Sequence, residues 1–489
     1  MSDISFVRNA MLPATAPPAG QRGALKWLAE NLFSGWLNSI LTVLAVVALY
    51  FLIMGSLPWV TNGVWVAGSL GECRTILNGA SGACWAVLVE RWHQFIYGFY
   101  PTELYWRPTT AFALLFVALA PVLYYGLNRH CAILVGTVGI LLLAALIGLK
   151  TDAWHLSLSV AIFAALTALA WFAPKKLVYV TLAFPAMGFY LLWGGSFWAP
   201  VTVMIGLGLI GVLIVWMLPL LGAIWTLGLA VLLALVWFLD PLAWIGLGGV
   251  LPLQPRVSGL LDAVWAVGLD PIDSDLFGGF LLSFVIGVTA ISASLPVGIL
   301  LALGRLSDMP LIKYLCVGFI EFIRGVPLIT MLFTASLLLQ YFLPPQTNFD
   351  LVFRVIILVT LFASAYIAEV VRGGLAALPR GQYEAASALG LNFWKSMTFI
   401  IMPQALTLVI PGIVGTFISL LKDTSLVAII GIFDLLNAVK AINSDAAWAA
   451  PTQAVTSYIF AAILFFVLCF AISRYSIYLE KRLRVGHKR

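Results

Sequence analysis

Charge is scarce in this sequence. Only 9% of its 489 residues are Asp, Glu, Lys or Arg, while 62% are hydrophobic. Globular chains carry about 25% charged residues, so an ordinary soluble domain is excluded. Histidine is nearly missing: four are scattered singly, and the five cysteines form no CxxC pair or Cys/His cluster. No metal site is expected from such spacing. No Gly-Lys dipeptide occurs, so there is no Walker A loop to cradle nucleotide phosphates. HExxH and GxSxG are absent too. The chain is therefore not expected to be an enzyme, and any energy it uses must come from a partner. Its net charge of +6 invites a nucleic-acid reading, but the basic residues are dispersed and bunch only at the C-terminus. Basic ends on a membrane protein follow the positive-inside rule instead.

What is abundant is apolar sequence in long runs, each about the 20 residues a membrane helix needs. The pattern predicts an all-α polytopic integral membrane protein with about twelve transmembrane helices. A polar, proline-bearing stretch, 1–37, reads as a cytoplasmic, partly disordered tail. The first span covers 39–60, too far in for a cleavable signal. A loop over 61–108 is rich in Gly, Trp and Tyr, which suits a membrane–water interface. It holds Cys73 and Cys84; if the loop is periplasmic, they can either bond or remain free thiols. Six runs follow (109–127, 130–149, 155–172, 177–195, 198–217 and 219–239), forming an accessory bundle with almost no internal charge. Gly206, Gly208 and Gly211 spell GxGxxG inside a span, where close helix packing is their role. A second outer segment covers 240–276. Five spans complete the chain: 277–304, 326–343, 350–371, a long one from 405, and 454–474, before a basic tail at 477–489. With both termini inside, the inner segments hold 17 Lys/Arg and the outer ones six, which supports that topology.

One polar interruption stands out, RGQYEAASALGLNFWKSMTFIIMPQ at 380–404. Gln382–Leu389 reads as a short helix kept shallow by Ala385, Ala386 and Ala388. Gly390 can end it in a left-handed conformation that other residues enter at a cost. A small-surfaced helix on a cytoplasmic loop suits docking into another protein's groove, although an ordinary interhelical loop is also polar.

Glu384-Ala385-Ala386, then Gly390, then Ile400, Met402 and Pro403, resembles the EAA loop (about 373–403) of permease subunits of ATP-binding cassette importers, with Met402 where that family usually has leucine. Ile367-Ala368-Glu369-Val370-Val371-Arg372-Gly373-Gly374 before it and Lys422-Asp423-Thr424-Ser425-Leu426 after it resemble the polar amino acid uptake family. The longer chain, with Gly-Ala-Cys-Trp at 82–85, Tyr-Gly-Phe-Tyr-Pro at 97–101 and Trp106-Arg107-Pro108, is similar to a permease of general L-amino acid importers of Gram-negative bacteria. The resemblance implies a five-helix type I importer permease core over 277–476, after an N-terminal membrane region at 38–276. It assigns Glu384, Ala385, Ala386, Gly390 and Pro403 to coupling with an ATPase. It also implies a bacterial inner-membrane location, a second permease subunit, a dimer of ATPase subunits holding ATP and Mg, and a periplasmic amino-acid-binding protein. A secondary transporter or channel without an ATPase is the alternative.

Charges inside apolar sequence mark candidate transport sites. Lys422-Asp423-Thr424-Ser425 splits the apolar stretch Ala405–Leu436, and a break near mid-membrane would free backbone groups to face a polar cavity. Asp423 is then a candidate for a substrate ammonium, and Thr424 and Ser425 for a carboxylate. A Lys422–Asp423 neighbour effect would explain the same residues without a substrate. Glu321 and Arg324, and likewise Glu369 and Arg372, are three apart and share a helical face. They read as gate or scaffold ion pairs, with 310–324 an elbow helix ahead of Pro327.

Overall fold

The structure is a computed structural model, described over residues 23–124, 126–238, 252–338, 341 and 350–484. It divides into two units, one formed by the chain up to Glu90 with Ala446–Thr456, the other by Arg91–Asp445 with Ser457–Arg489.

In the first unit, α1 (Gly23–Asn31) precedes α2 (Trp36–Thr61). Helix α2 is apolar all round and has no buried residue, as a helix surrounded by lipid would. Residues 1–22, part of the tail read as disordered, lie outside the described residues. Helix α3 (Leu70–Leu77) starts on a capping arrangement. Ser69 accepts from the Glu72 N–H, and the Glu72 carboxylate accepts from the Gly68 N–H at 2.8 Å. Cys73 and Cys84 form a disulfide, with Cα atoms 6.0 Å apart. Trp85 stacks on Trp65 at 5.6 Å and meets Trp59 edge-on.

Helix α4 (Ala86–Tyr97) carries the chain into the second unit. Helices α5 (Trp106–Leu123), α6 (Asn128–Gly148), α7 (Ala153–Phe172) and α8 (Val178–Trp193) follow with short connections. Helix α9 (Trp198–Phe238) is broken at Gly222, and α10 (Leu253–Val264) comes next. Strands β1 (Gly195–Ser196) and β2 (Gly268–Leu269) pair antiparallel, Gly195 opposite Leu269. Beside them the buried Arg107 donates to the Asp270 carbonyl at 2.7 Å.

The remaining helices are α11 (Gly279–Arg305), α12 (Pro310–Gly325), α13 (Leu328–Phe333), α14 (Leu351–Ala377), α15 (Arg380–Ala388), α16 (Phe393–Ser396), α17 (Met402–Asp423), α18 (Leu435–Ser444) and α19 (Pro451–Arg484). Helices α11 and α14 pack together. Buried small residues, Ala290, Ser294 and Ala302 on one and Ala363, Ser364 and Ala368 on the other, suit the close approach favoured within membranes. Glycine is required where α4 ends. Gly98 has φ +68°, and a Cβ there would collide with the Gly278 backbone. The Gly279 N–H then donates to the Phe433 carbonyl at 2.8 Å.

Among the described residues ten helices are long and apolar enough to cross a membrane, or eleven if the bent pair of α12 with Leu328–Leu338 counts as one span. That pair turns through 104°, at the elbow expected before Pro327. The run 219–239, read as a further span, is the far part of α9, where Gly228–Phe238 is a shorter apolar helix. Residues 239–251, the end of that run and the start of the second outer segment, lie outside the described residues.

Candidate functional site

Three features of the second unit carry polar chemistry. The first is α15. It spans Arg380–Ala388, starting two residues before the expected Gln382 because Pro379 sits at its N-cap. Gly390 takes φ +68°, the Gly390 N–H donates to the Ser387 carbonyl at 2.9 Å, and the Leu391 N–H reaches the Ala386 carbonyl at 3.3 Å. This is a Schellman-type end, which satisfies carbonyls the helix leaves open. Asn392 then caps α16, accepting from the Lys395 N–H at 2.9 Å. Only Ala386 of α15 is buried; Glu384, Ala385, Gly390 and Pro403 are exposed. Leu389 is 73% exposed beside Phe393 and Trp394. The Gln404 side chain donates to Gln382 Oε1 at 3.1 Å, tying α15 to α17. The Tyr383 hydroxyl donates to the Leu375 carbonyl, and burial pushes its pKa up.

The second feature is an ion cluster at the C-terminal ends of α11, α12 and α14. Arg372 donates to Glu369 Oε1 through Nε at 2.9 Å and Nη2 at 2.6 Å. Glu369 Oε2 lies 3.4 Å from Arg305 and 3.7 Å from Arg324. Glu321 does not pair with Arg324, as spacing suggested; it pairs with Arg305 at 2.8 Å. Packing of α11 against α12 brings the arginine closer than the neighbour on the same helix. Arg324 instead stands over the Tyr366 ring at 5.7 Å.

The third feature is a cavity of about 440 Å³ between α14 and α17, lined by Phe362, Tyr366, Gly412, Gly415, Thr416, Ser419 and Asp423 among others. Helix α17 ends at Asp423 and tightens into a 3₁₀ segment over 424–430, so the helix changes where 422–425 were read as a break. The apolar helical run is Phe393–Ile430, and Asp423 comes thirty residues after its start, nearer its far end than its middle. The run begins earlier than the apolar pattern because Lys395 and Ser396 are helical too.

The four residues 422–425 do not converge. Asp423 lines the α14–α17 cavity, whereas Lys422 and Ser425 line another with Tyr458 and Cys469. Thr424 is buried and donates to the Leu421 carbonyl at 2.7 Å. Among the described residues no ion pair joins Lys422 to Asp423. Sequence reading missed Tyr366, Thr416 and Ser419. Their signal was present in part: Gly412, Gly415, Thr416, Ser419 and Asp423 recur at helical spacing as one small, polar stripe.

Near the start of α18, Asp434 is fully buried. Its Oδ1 accepts from the Asn437 N–H at 2.9 Å, and Oδ2 has no hydrogen-bond partner among the described residues. Burial pushes this carboxyl up to about 6, against the pull of the backbone N–H groups at Asn437 and Leu436.

A family model described as a binding-protein-dependent transport system inner membrane component matches residues 294–485. The glutamate/glutamine/aspartate/asparagine transport system permease protein BztC of Rhodobacter capsulatus is 49% identical over 494 residues, covering 100% of both chains. The inner membrane amino-acid ABC transporter permease protein YhdY of Escherichia coli K12 is 35% identical, over 95% of this chain and 94% of the relative. A solved amino acid ABC transporter chain is 29% identical over 42% of this chain and 92% of its own, with a TM-score of 0.37. Full-length identity to two such relatives decides the matter: the chain belongs to the family of amino-acid ABC transporter permeases.

Proposed function

We propose that this chain forms half of the translocation path of an ATP-driven L-amino acid importer and that α15 couples the path to the ATPase. A different permease supplies the other half, two ATPase subunits bind ATP and Mg, and a periplasmic protein delivers the substrate. The chain itself is a permease subunit and not an enzyme. The observation that carries the proposal is the turn at Gly390. It follows a helix whose exposed residues include Glu384, Ala385 and Ala388, and it leaves Leu389, Phe393 and Trp394 exposed as apolar side chains around the turn. Such a surface fits a cleft, and rigid tethering by Gln404 and Tyr383 lets movement of the cleft reach α17 and α14.

The cavity at Asp423 supplies the substrate contacts. Its carboxylate suits an ammonium, Ser419 offers a hydroxyl, and the Thr416 hydroxyl, which donates to the Gly412 carbonyl, can still accept. The relative BztC is named for glutamate, glutamine, aspartate and asparagine, and small polar amino acids of that class are the proposed substrates here. The excess of Lys/Arg in alternate loops supports both termini in the cytoplasm, with α15 on the ATP side and the Cys73–Cys84 bond in the periplasm.

The test is reconstitution of the complete complex in lipid vesicles. ATP-dependent uptake that also requires the binding protein is expected. Uptake by this chain and its permease partner alone, driven by a gradient without ATP, would overturn the proposal.

A further inference from the structure

The accessory helices meet the core around a further cavity, and its lining identifies a ligand class. About 250 Å³ lies between α5 and α8 on one side and α11 and α14 on the other. Of the lining side chains only Thr289 and Trp193 carry a polar atom. The Thr289 hydroxyl is spent on the Val285 carbonyl at 2.6 Å. Water needs two to four polar partners to occupy such a space, and the two groups offered, the Trp193 N–H and the acceptor side of the Thr289 hydroxyl, stand towards opposite ends of the lining, too far apart to share one water. An empty space forfeits the dispersion contacts of all its walls. Hydrocarbon is the remaining occupant, and the bilayer supplies it at no desolvation cost. The bilayer also has an edge on the cavity, since the lining residue Phe112 is 38% exposed.

The dimensions narrow the choice. The lining runs from Pro108 to Leu115 on α5, from Trp193 back to Phe184 on α8, and from Leu281 to Thr289 on α11. At 1.5 Å per residue these stretches are about 10 to 13 Å long. All three start at one end of their helices and stop part-way down. One leaflet of hydrocarbon is about 15 Å deep, half of a core of about 30 Å. The cavity is thus a slot for a chain lying parallel to the helices within a single leaflet. At its helix-end limit sits Trp193, whose buried indole N–H has no acceptor among the described residues. Tryptophan at that level meets the headgroup region, where a glycerol ester carbonyl would accept from it.

We propose that this cavity is a binding site for one acyl chain of a bilayer phospholipid, held between the accessory bundle and the permease core with its ester group at Trp193. The lipid completes a joint that protein side chains leave unfilled. This gives the accessory helices α5 and α8 a task, packing a lipid against α11 and α14. The proposal stands on the membrane-spanning fold and is independent of which amino acid is carried.

The test uses the whole complex in detergent-free phosphatidylethanolamine nanodiscs containing a phosphatidylethanolamine with a diazirine half-way down one tail. After photolysis, peptides are mapped by mass spectrometry. Labelling of the α5, α8 and α11 linings should exceed that of the lipid-facing pair Ile140 and Leu141 on α6 by roughly tenfold, the ratio of a site that binds lipid about 1.4 kcal/mol better than its surroundings. Ala111→Phe, which fills the slot from α5, should bring the labelling down to that background, as should Val288→Phe from α11. If neither variant assembles, the wild-type complex extracted in detergent and delipidated should retain bound phospholipid, read by mass spectrometry of the intact complex. Wild-type labelling equal to background, labelling unchanged in an assembled variant, or a delipidated wild-type complex that retains no phospholipid would each overturn the site. So would labelling by a diazirine fatty acid with none by the phospholipid.

Discussion

The Leu391 N–H reaches back across Gly390 to the Ala386 carbonyl, 3.3 Å away. This bond closes α15 and turns the chain sharply, and it needs the left-handed φ of +68° at Gly390. Apart from the adjoining residues, no atom lies within 4 Å of where a Gly390 Cβ would sit, so substitution is penalised by conformation and not by collision.

Gly390→Ala should therefore cost about 1–2 kcal/mol locally. Gly390→Asn should cost less, because Asn tolerates this conformation. Complex yield, ATP hydrolysis and uptake measured together should show Gly390→Trp inserted but uncoupled, with Asn closest to wild type. Undiminished uptake in Gly390→Trp would remove α15 from the coupling path.

Glu369 holds three guanidinium groups together, and its side chain is 24% exposed. Glu369→Gln should lower the stability of the solubilised complex by about 1–3 kcal/mol, below the range for breaking a fully buried pair because solvent screens part of the loss. Glu321 is 54% exposed and touches Arg305 alone among these arginines. Glu321→Gln should change the melting temperature far less. Equal shifts would show that Glu369 does not organise the cluster.

The disulfide closes a separation of 11 residues in sequence. Replacing both Cys73 and Cys84 with serine should destabilise the first unit by about 2–3 kcal/mol. In intact spheroplasts an impermeant thiol reagent should label them only after reduction, while Lys395→Cys stays unlabelled. The reverse pattern would invert the topology.

Asp434 gives a pH dependence whose sign follows from its raised pKa. Between its ordinary value of 3.8 and its folded value of about 6, the folded state holds a proton that the unfolded state has lost. Stability from this group is thus present at low pH and lost as pH rises through 6. Between pH 5 and pH 7 the loss is on the order of 1 kcal/mol. Thermal melting of the solubilised complex should show that decline, and Asp434→Asn should flatten it. A variant with the wild-type slope would assign the pH dependence elsewhere.

Local features were legible in the sequence, and tertiary ones were not. Gly390 after a short alanine helix, and the bend between Gly325 and Pro327, follow from backbone preferences that a few neighbouring residues set. The change of helix type after Asp423 was marked by charge inside an apolar run. The Arg305–Glu321 pair was invisible because spacing rules compare residues on one helix, and Arg305 lies on another. Tyr366 joins Asp423 across α14 and α17 for the same reason. The lipid slot draws on four helices spread along the chain from Pro108 to Ile356, and nothing in one apolar run announces which other run it will face.

The most direct test of the account is ATP-driven uptake by the reconstituted complex carrying Asp423→Asn, alone and with Lys422→Met, at matched assembly. Because Asp423 and Lys422 open onto different cavities, the account predicts normal assembly, strongly reduced amino acid uptake in Asp423→Asn, and no rescue in the double variant. Normal uptake in Asp423→Asn, or an assembly defect that Lys422→Met repairs, would contradict it.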